Sequence, residues 1–125
     1  MRNQKRILII DDDFDNRRLT KDILQFAGFE TYDFASPQLA LDAFKQNPMF
    51  YDLVIIDTWL DKLDGRKVYS DIKKSNPNSK VLIFTGMEIE SNKFKDICPS
   101  FNERQVIKKP VTMNTLINMI TNSTL

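Results

Sequence analysis

The 125-residue chain has no histidine, one cysteine, three glycines and one tryptophan. Without histidine it can run neither Ser-His nor Cys-His catalysis, offers no imidazole to a metal, and cannot itself act as a histidine phosphodonor. Cys98 is alone, so one chain can form no disulfide and no thiolate metal cluster. Long hydrophobic runs are also missing: "ILII" and "LVII" are strand-length, far short of the roughly 20 residues of a membrane span. The opening "MRNQKR" leads into a strand rather than a signal-type apolar region, so a soluble, cytoplasmic protein is expected. Nor does one charge dominate, since 18 basic residues face 17 acidic ones for a formal net charge of +1. That balance gives no electrostatic footprint for a dedicated nucleic-acid or membrane binder. Whatever chemistry exists must run on carboxylates, lysine and hydroxyls.

What is present is an alternation. Strand-like apolar runs occur at Arg6 to Ile10, Phe29 to Phe34, Asp52 to Ile56, Lys80 to Phe84 and, weakly, Gln105 to Lys108. Helix-length segments separate them. From Phe14 to Ala27, Leu19, Ile23, Phe26 and Ala27 keep helical spacing, and Gly28 stands where a left-handed cap belongs. Ser36-Pro37 is a cap and first-turn pair opening a helix with Leu39, Ala40, Ala43 and Phe44 on one face. A less regular segment carries Ile89, Phe94 and Ile97 before Pro99, and the last helix carries Met113, Leu116, Ile117 and Ile120. Five strands alternating with five helices predict a three-layer α/β/α sandwich with a mostly parallel sheet, built as one domain over residues 1–125.

In such a sheet, ligands bind beyond the carboxyl ends of the strands. The residues there are Asp11, Asp12 and Asp13 after the first strand, Asp57 after the third, Thr85 and Gly86 after the fourth, and Lys108, Lys109 and Pro110 after the fifth. If strands one and three are neighbours they lie roughly 5 Å apart, so Asp11 or Asp12 converges with Asp57. Two such charges about 4 Å apart repel by about 4 kcal/mol at an effective dielectric of 20, so protons or a cation must compensate. Hard oxygen donors without histidine or cysteine select Mg²⁺ or a similar ion. A cation and a lysine to neutralise phosphoryl oxygens, a hydroxyl to bind one of them, and an aspartate to attack in line are what phosphoryl transfer to a carboxylate requires. Asp57, alone after its strand, is the candidate nucleophile. Asp13 and Asp15 are read as first-turn residues that favour the helix dipole.

These stretches, "RILIIDDD", "LVIIDTWLDKLDG", "VLIFTG" and "VIKKPVT", together resemble the receiver domains of two-component response regulators over essentially the whole chain. The resemblance implies a flavodoxin-like fold with strand order 2-1-3-4-5. It implies that Asp57 is the phosphoacceptor and that Asp11 and Asp12 hold Mg²⁺ together with Asp57 and the backbone carbonyl of Trp59. By the same match Thr85 is the switch hydroxyl and Lys109, before Pro110, the phosphoryl-binding lysine, with Lys108 a solvated neighbour. The implied donor is a phosphohistidine on a partner kinase or phosphotransfer protein, and the implied role is a signalling phosphoacceptor that assists its own phosphorylation and dephosphorylation, not an enzyme with a separate substrate.

Two positions depart from the family pattern. Asp61 stands where the loop after the acceptor usually has proline, and Val106 stands where an aromatic ring usually reports the switch. They motivate an alternative reading as a phosphorylation-independent interaction scaffold, against which the retained Asp11, Asp12, Asp57, Thr85 and Lys109 argue. Trp59 can either shield an acyl phosphate from water or pack on Leu60 or Leu63. An enzyme of the haloacid-dehalogenase type would begin with a similarly spaced aspartate pair, Asp11 and Asp13, but needs threonine or valine where this chain has Asp15.

Overall fold

The computed structural model describes residues 4–57, 65–85, 106–108 and 112–125. In chain order they form β1 (Arg6–Ile10), α1 (Phe14–Phe26), β2 (Glu30–Phe34), α2 (Pro37–Gln46), β3 (Leu53–Asp57), α3 (Gly65–Ser75), β4 (Val81–Thr85), β5 (Val106–Lys108) and α4 (Met113–Ser123). The strands make one parallel sheet in the order β2-β1-β3-β4-β5. The flavodoxin-like arrangement read from the sequence is therefore the observed one. The expected helix with Ile89, Phe94 and Ile97 lies outside the described residues, as do Cys98 and Pro99.

Strand alternation sorts the core into two layers. Leu8, Ile10, Val54, Ile56, Val81 and Ile83 pack against Ala40, Leu41 and Phe44 of α2 and Val68, Tyr69 and Ile72 of α3. Ile7, Ile9, Leu53, Ile55, Leu82, Phe84 and Ile107 pack on the other side against Leu24 of α1 and Leu116 and Ile120 of α4. β3 is buried along its whole length, whereas every residue of the edge strand β2 is only partly buried. Each fully buried Leu or Ile side chain contributes about 1.5–3 kcal/mol, so the central strands β1 and β3 are the rigid frame.

Local chemistry sets the helix ends. Gly28 adopts φ 97°, and the Gly28 and Phe29 N–H groups donate to Gln25 O and Leu24 O, both at 3.0 Å, a Schellman closure of α1. The Ser36 Oγ accepts from the Leu39 N–H at 3.2 Å, and the Thr112 Oγ1 from the Thr115 N–H at 3.1 Å, capping α2 and α4.

The expected helix faces need correction. Leu19 and Phe26 of α1, Leu39 of α2 and Met113 of α4 are exposed, while Leu24 and Leu41 take core places. The reason is rotational phase: α1 turns Asn16 and Arg17 inward toward the carboxyl end of the sheet, which carries Leu19 and Phe26 round to solvent.

Candidate functional site

Register decides which side chains meet. Ile10 of β1 lies opposite Ile56 of β3, so the next residues along, Asp11 and Asp57, are level with each other. Both continue the row of Ile7, Ile9, Leu53 and Ile55 that faces α1. They are nearly sealed from solvent, Asp11 being 2% exposed and Asp57 3%.

Asn16, in the first turn of α1, joins them. Its Nδ2 donates to Asp11 Oδ2 at 2.6 Å and to Asp57 Oδ2 at 2.8 Å. Asp11 is fixed at its other groups too. Its Oδ1 accepts from the Asp13 N–H at 2.9 Å, its own N–H donates to Phe34 O at 3.0 Å, and its carbonyl accepts from Arg17 Nη1 at 2.8 Å. Arg17 is anchored in turn by Asp33, with Nε 3.2 Å from Oδ2. Asp13 is the N-cap of α1 without a side-chain cap bond, so its contribution is the backbone N–H given to Asp11; Asp15 occupies the first turn, where the helix dipole favours it.

One neutral amide thus bridges two buried carboxylates. At about 4 Å in a medium of effective dielectric 20, like charges cost about 4 kcal/mol, and an amide offers dipoles rather than a counter-charge. Asp12 adds a buried Oδ1 with no hydrogen-bond partner. Among the described residues no group of three His, Cys, Asp or Glu side chains meets in ligand geometry, and Asp11 and Asp57 are the two carboxylates that the fold brings together. That donor set fits a hard divalent cation, which takes one or two carboxylates and keeps several waters.

The other expected site residues are placed by backbone or not at all. Thr85 ends β4 one position beyond Phe84, the residue opposite Asp57, and Lys108 lies opposite Thr85 at the end of β5. Val106 lies opposite Ile83. Trp59, Asp61, Asp64, Gly86, Lys109 and Pro110 lie outside the described residues. Asn16 was not singled out by sequence, because attention to residues directly after strands passes over a side chain supplied by the following helix. Its signal was its position five residues after Asp11, in the helix turn that faces the strand ends.

The family model for the response regulator receiver domain matches residues 7–121. The chain belongs to the response-regulator receiver family. This receiver is 26% identical over 116 residues to the response regulator receiver protein CpdR of Brucella abortus, covering 93% of each chain. It is 34% identical over 86 residues to sporulation initiation phosphotransferase F of Bacillus subtilis, covering 68% of this chain and 66% of that one. A CheY-like receiver domain protein from Methanospirillum hungatei superposes with TM-score 0.79 at 29% identity, covering 98% of this chain and 94% of the other. Against a longer Bacillus subtilis transcriptional regulatory protein, ComA, the receiver spans only 41% of the length. As a receiver it is a phosphoacceptor of two-component signalling rather than a classical enzyme, and histidine kinases and phosphotransfer proteins are the partners of its family. No helix among the described residues is long and apolar enough to cross a membrane.

Proposed function

We propose that Asp57 is the acceptor, that Asp11, Asp12, Asp57 and the backbone carbonyl of Trp59 would hold Mg²⁺, and that Thr85 and Lys109 bind the transferred phosphoryl group. The observation carrying this reading is the pairing of Asp11 and Asp57, two carboxylates almost out of solvent at the ends of adjacent central strands. When bound, Mg²⁺ neutralises charge on the phosphoryl oxygens.

The rest is the work of the chain. The Asp57 carboxylate attacks phosphorus in line as the phosphorus–nitrogen bond of a partner's phosphohistidine breaks. The electron pair of that bond returns to the partner's imidazole, and the chain is left with an acyl phosphate. Rigidity at the end of β3 supplies the orientation, since a nucleophile held in place needs no further ordering when the donor arrives. The Thr85 hydroxyl donates to one phosphoryl oxygen and the Lys109 ammonium pairs with another. Attack by water at the same phosphorus breaks the bond to the Asp57 oxygen, returns its electron pair to the carboxylate and releases inorganic phosphate, and the groups that hold the phosphoryl oxygens assist this step as they assist the first. The modified and unmodified forms then differ in their population of two conformations, and a partner that binds one of them reads the signal. The reading takes residues 1–125 as one receiver unit acting in the cytoplasm.

Incubation with a small acyl phosphate donor and Mg²⁺, followed by intact-mass measurement, tests the proposal. Wild type should gain one phosphoryl group and Asp57→Ala none. No gain in either would favour the phosphorylation-independent scaffold.

A further inference from the structure

Asn16 holds a position that neither the acceptor nor the cation ligands account for. A carboxylate can only accept hydrogen bonds, so the amide must present its nitrogen to both acids, and both amide protons are committed, at 2.6 Å to Asp11 and 2.8 Å to Asp57. The same two oxygens belong to the carboxylates that would hold the cation. Each carboxylate has a second oxygen and further lone pairs, but a cation seated between Asp11 Oδ2 and Asp57 Oδ2 would meet the amide nitrogen that already bridges them.

We propose that Asn16 is a positioning residue whose amide occupies the cation's place between Asp11 and Asp57 in the metal-free protein and must give up at least one of them when a divalent cation binds. This rests on the reading of Asp11 and Asp57 as cation ligands. The amide keeps the two acids side by side when no cation is present, and its short, charge-assisted bonds lower the free energy of the metal-free form. Stabilisation that exists only in the metal-free form weakens cation affinity by the same factor, because the two are linked through one thermodynamic cycle. Asn16 therefore sets the Mg²⁺ concentration at which the site becomes ready to accept a phosphoryl group. Asparagine suits this task where aspartate would add a third repelling charge and leucine would offer the acids no donor.

The test is Asn16→Leu, close in volume but unable to hydrogen-bond. Mg²⁺ affinity is read by calorimetry and by fluorescence of the single tryptophan, Trp59, and thermal unfolding is measured with and without Mg²⁺. The variant should bind Mg²⁺ about tenfold more tightly, the factor expected from losing about one net charge-assisted bond in the metal-free form alone. It should melt below wild type without Mg²⁺, and that gap should close at saturating Mg²⁺. Should Asn16→Leu fail to fold without metal, Asn16→Ala measured across a Mg²⁺ series reports the same closing gap. An equal loss of melting temperature with and without Mg²⁺ and an unchanged affinity would reduce Asn16 to a structural cap. Weaker Mg²⁺ binding in the variant would likewise overturn the proposal, making the amide a support for the cation. If wild type itself shows no Mg²⁺ binding, the cation reading of Asp11 and Asp57 fails together with this one. If wild type binds Mg²⁺ and gains its phosphoryl group but the variant matches it in every respect, only the role of Asn16 fails.

Discussion

The two ends of the β1 and β3 strands carry acids in opposite circumstances. At the amino end, the Arg6 guanidinium lies 3.5 Å from Glu30 and 3.9 Å from the centre of the Phe50 ring, while the Arg6 N–H donates to Asp52 at 2.7 Å. Phe50 meets Tyr32 and Tyr51 edge-on, and Tyr51 stacks on Phe44. At the carboxyl end, Asp11 and Asp57 share a neutral amide, and the nearby Arg17 is committed to the Asp11 carbonyl and to Asp33. At one end an arginine lies beside the acids; at the other a neutral amide bridges two buried ones, which on the proposed reading also hold a cation. Because both ends share β1, the contrast sets a stability role against the proposed binding role within one part of the sheet.

The contrast can be broken most forcefully at Asp11. Asp11→Asn should weaken Mg²⁺ affinity by about 100-fold, measured by calorimetric titration, since it removes a full ligand charge from a low-dielectric site. The next effect is one of opposite signs. Arg6→Met should destabilise the protein by about 1–2 kcal/mol in urea unfolding, because Glu30 loses its ion-pair partner and Phe50 its cation. Asp57→Asn should instead stabilise the metal-free protein by about 1–2 kcal/mol, since it relieves repulsion between buried carboxylates. Equal signs for the two would erase the distinction between the ends. The smallest effect is a pH dependence. The Tyr32 hydroxyl donates to Glu30, and that bond together with burial raises its pKa above the ordinary 10.0. The folded state thus holds this proton more tightly than the unfolded one, so its contribution is complete below about pH 10 and disappears as pH rises through the higher folded value. Tyr32→Phe should flatten that alkaline loss by under about 1 kcal/mol in thermal scans across pH, with the raised Tyr51 leaving a residue of the effect.

Strands and the acid pair were legible for the same reason: a fully buried parallel strand is a continuous apolar run, and a carboxylate closing such a run stands out. "LVII" into Asp57 and "ILII" into Asp11 gave both the central strands and the acid pair. Helix faces were less legible. Spacing in α1 marked Leu19 and Phe26 as inward, yet the helix also carries Asn16 and Arg17, and periodicity cannot say which of two stripes wins. Geometry at the strand ends decided it, since Asn16 and Arg17 both bond to Asp11. Asn16 itself escaped notice because a neutral amide carries no charge signature, and only three-dimensional proximity shows that it bridges two acids.

The most direct test of the account is to locate the modification. Phosphorylate the wild-type chain with a small acyl phosphate donor and Mg²⁺, reduce the acyl phosphate with borohydride, and map the resulting homoserine by peptide mass spectrometry. The account predicts conversion at position 57 alone. Conversion at Asp11 or Asp12, or modification that borohydride leaves untouched, would contradict the assignment of Asp57 as the acceptor.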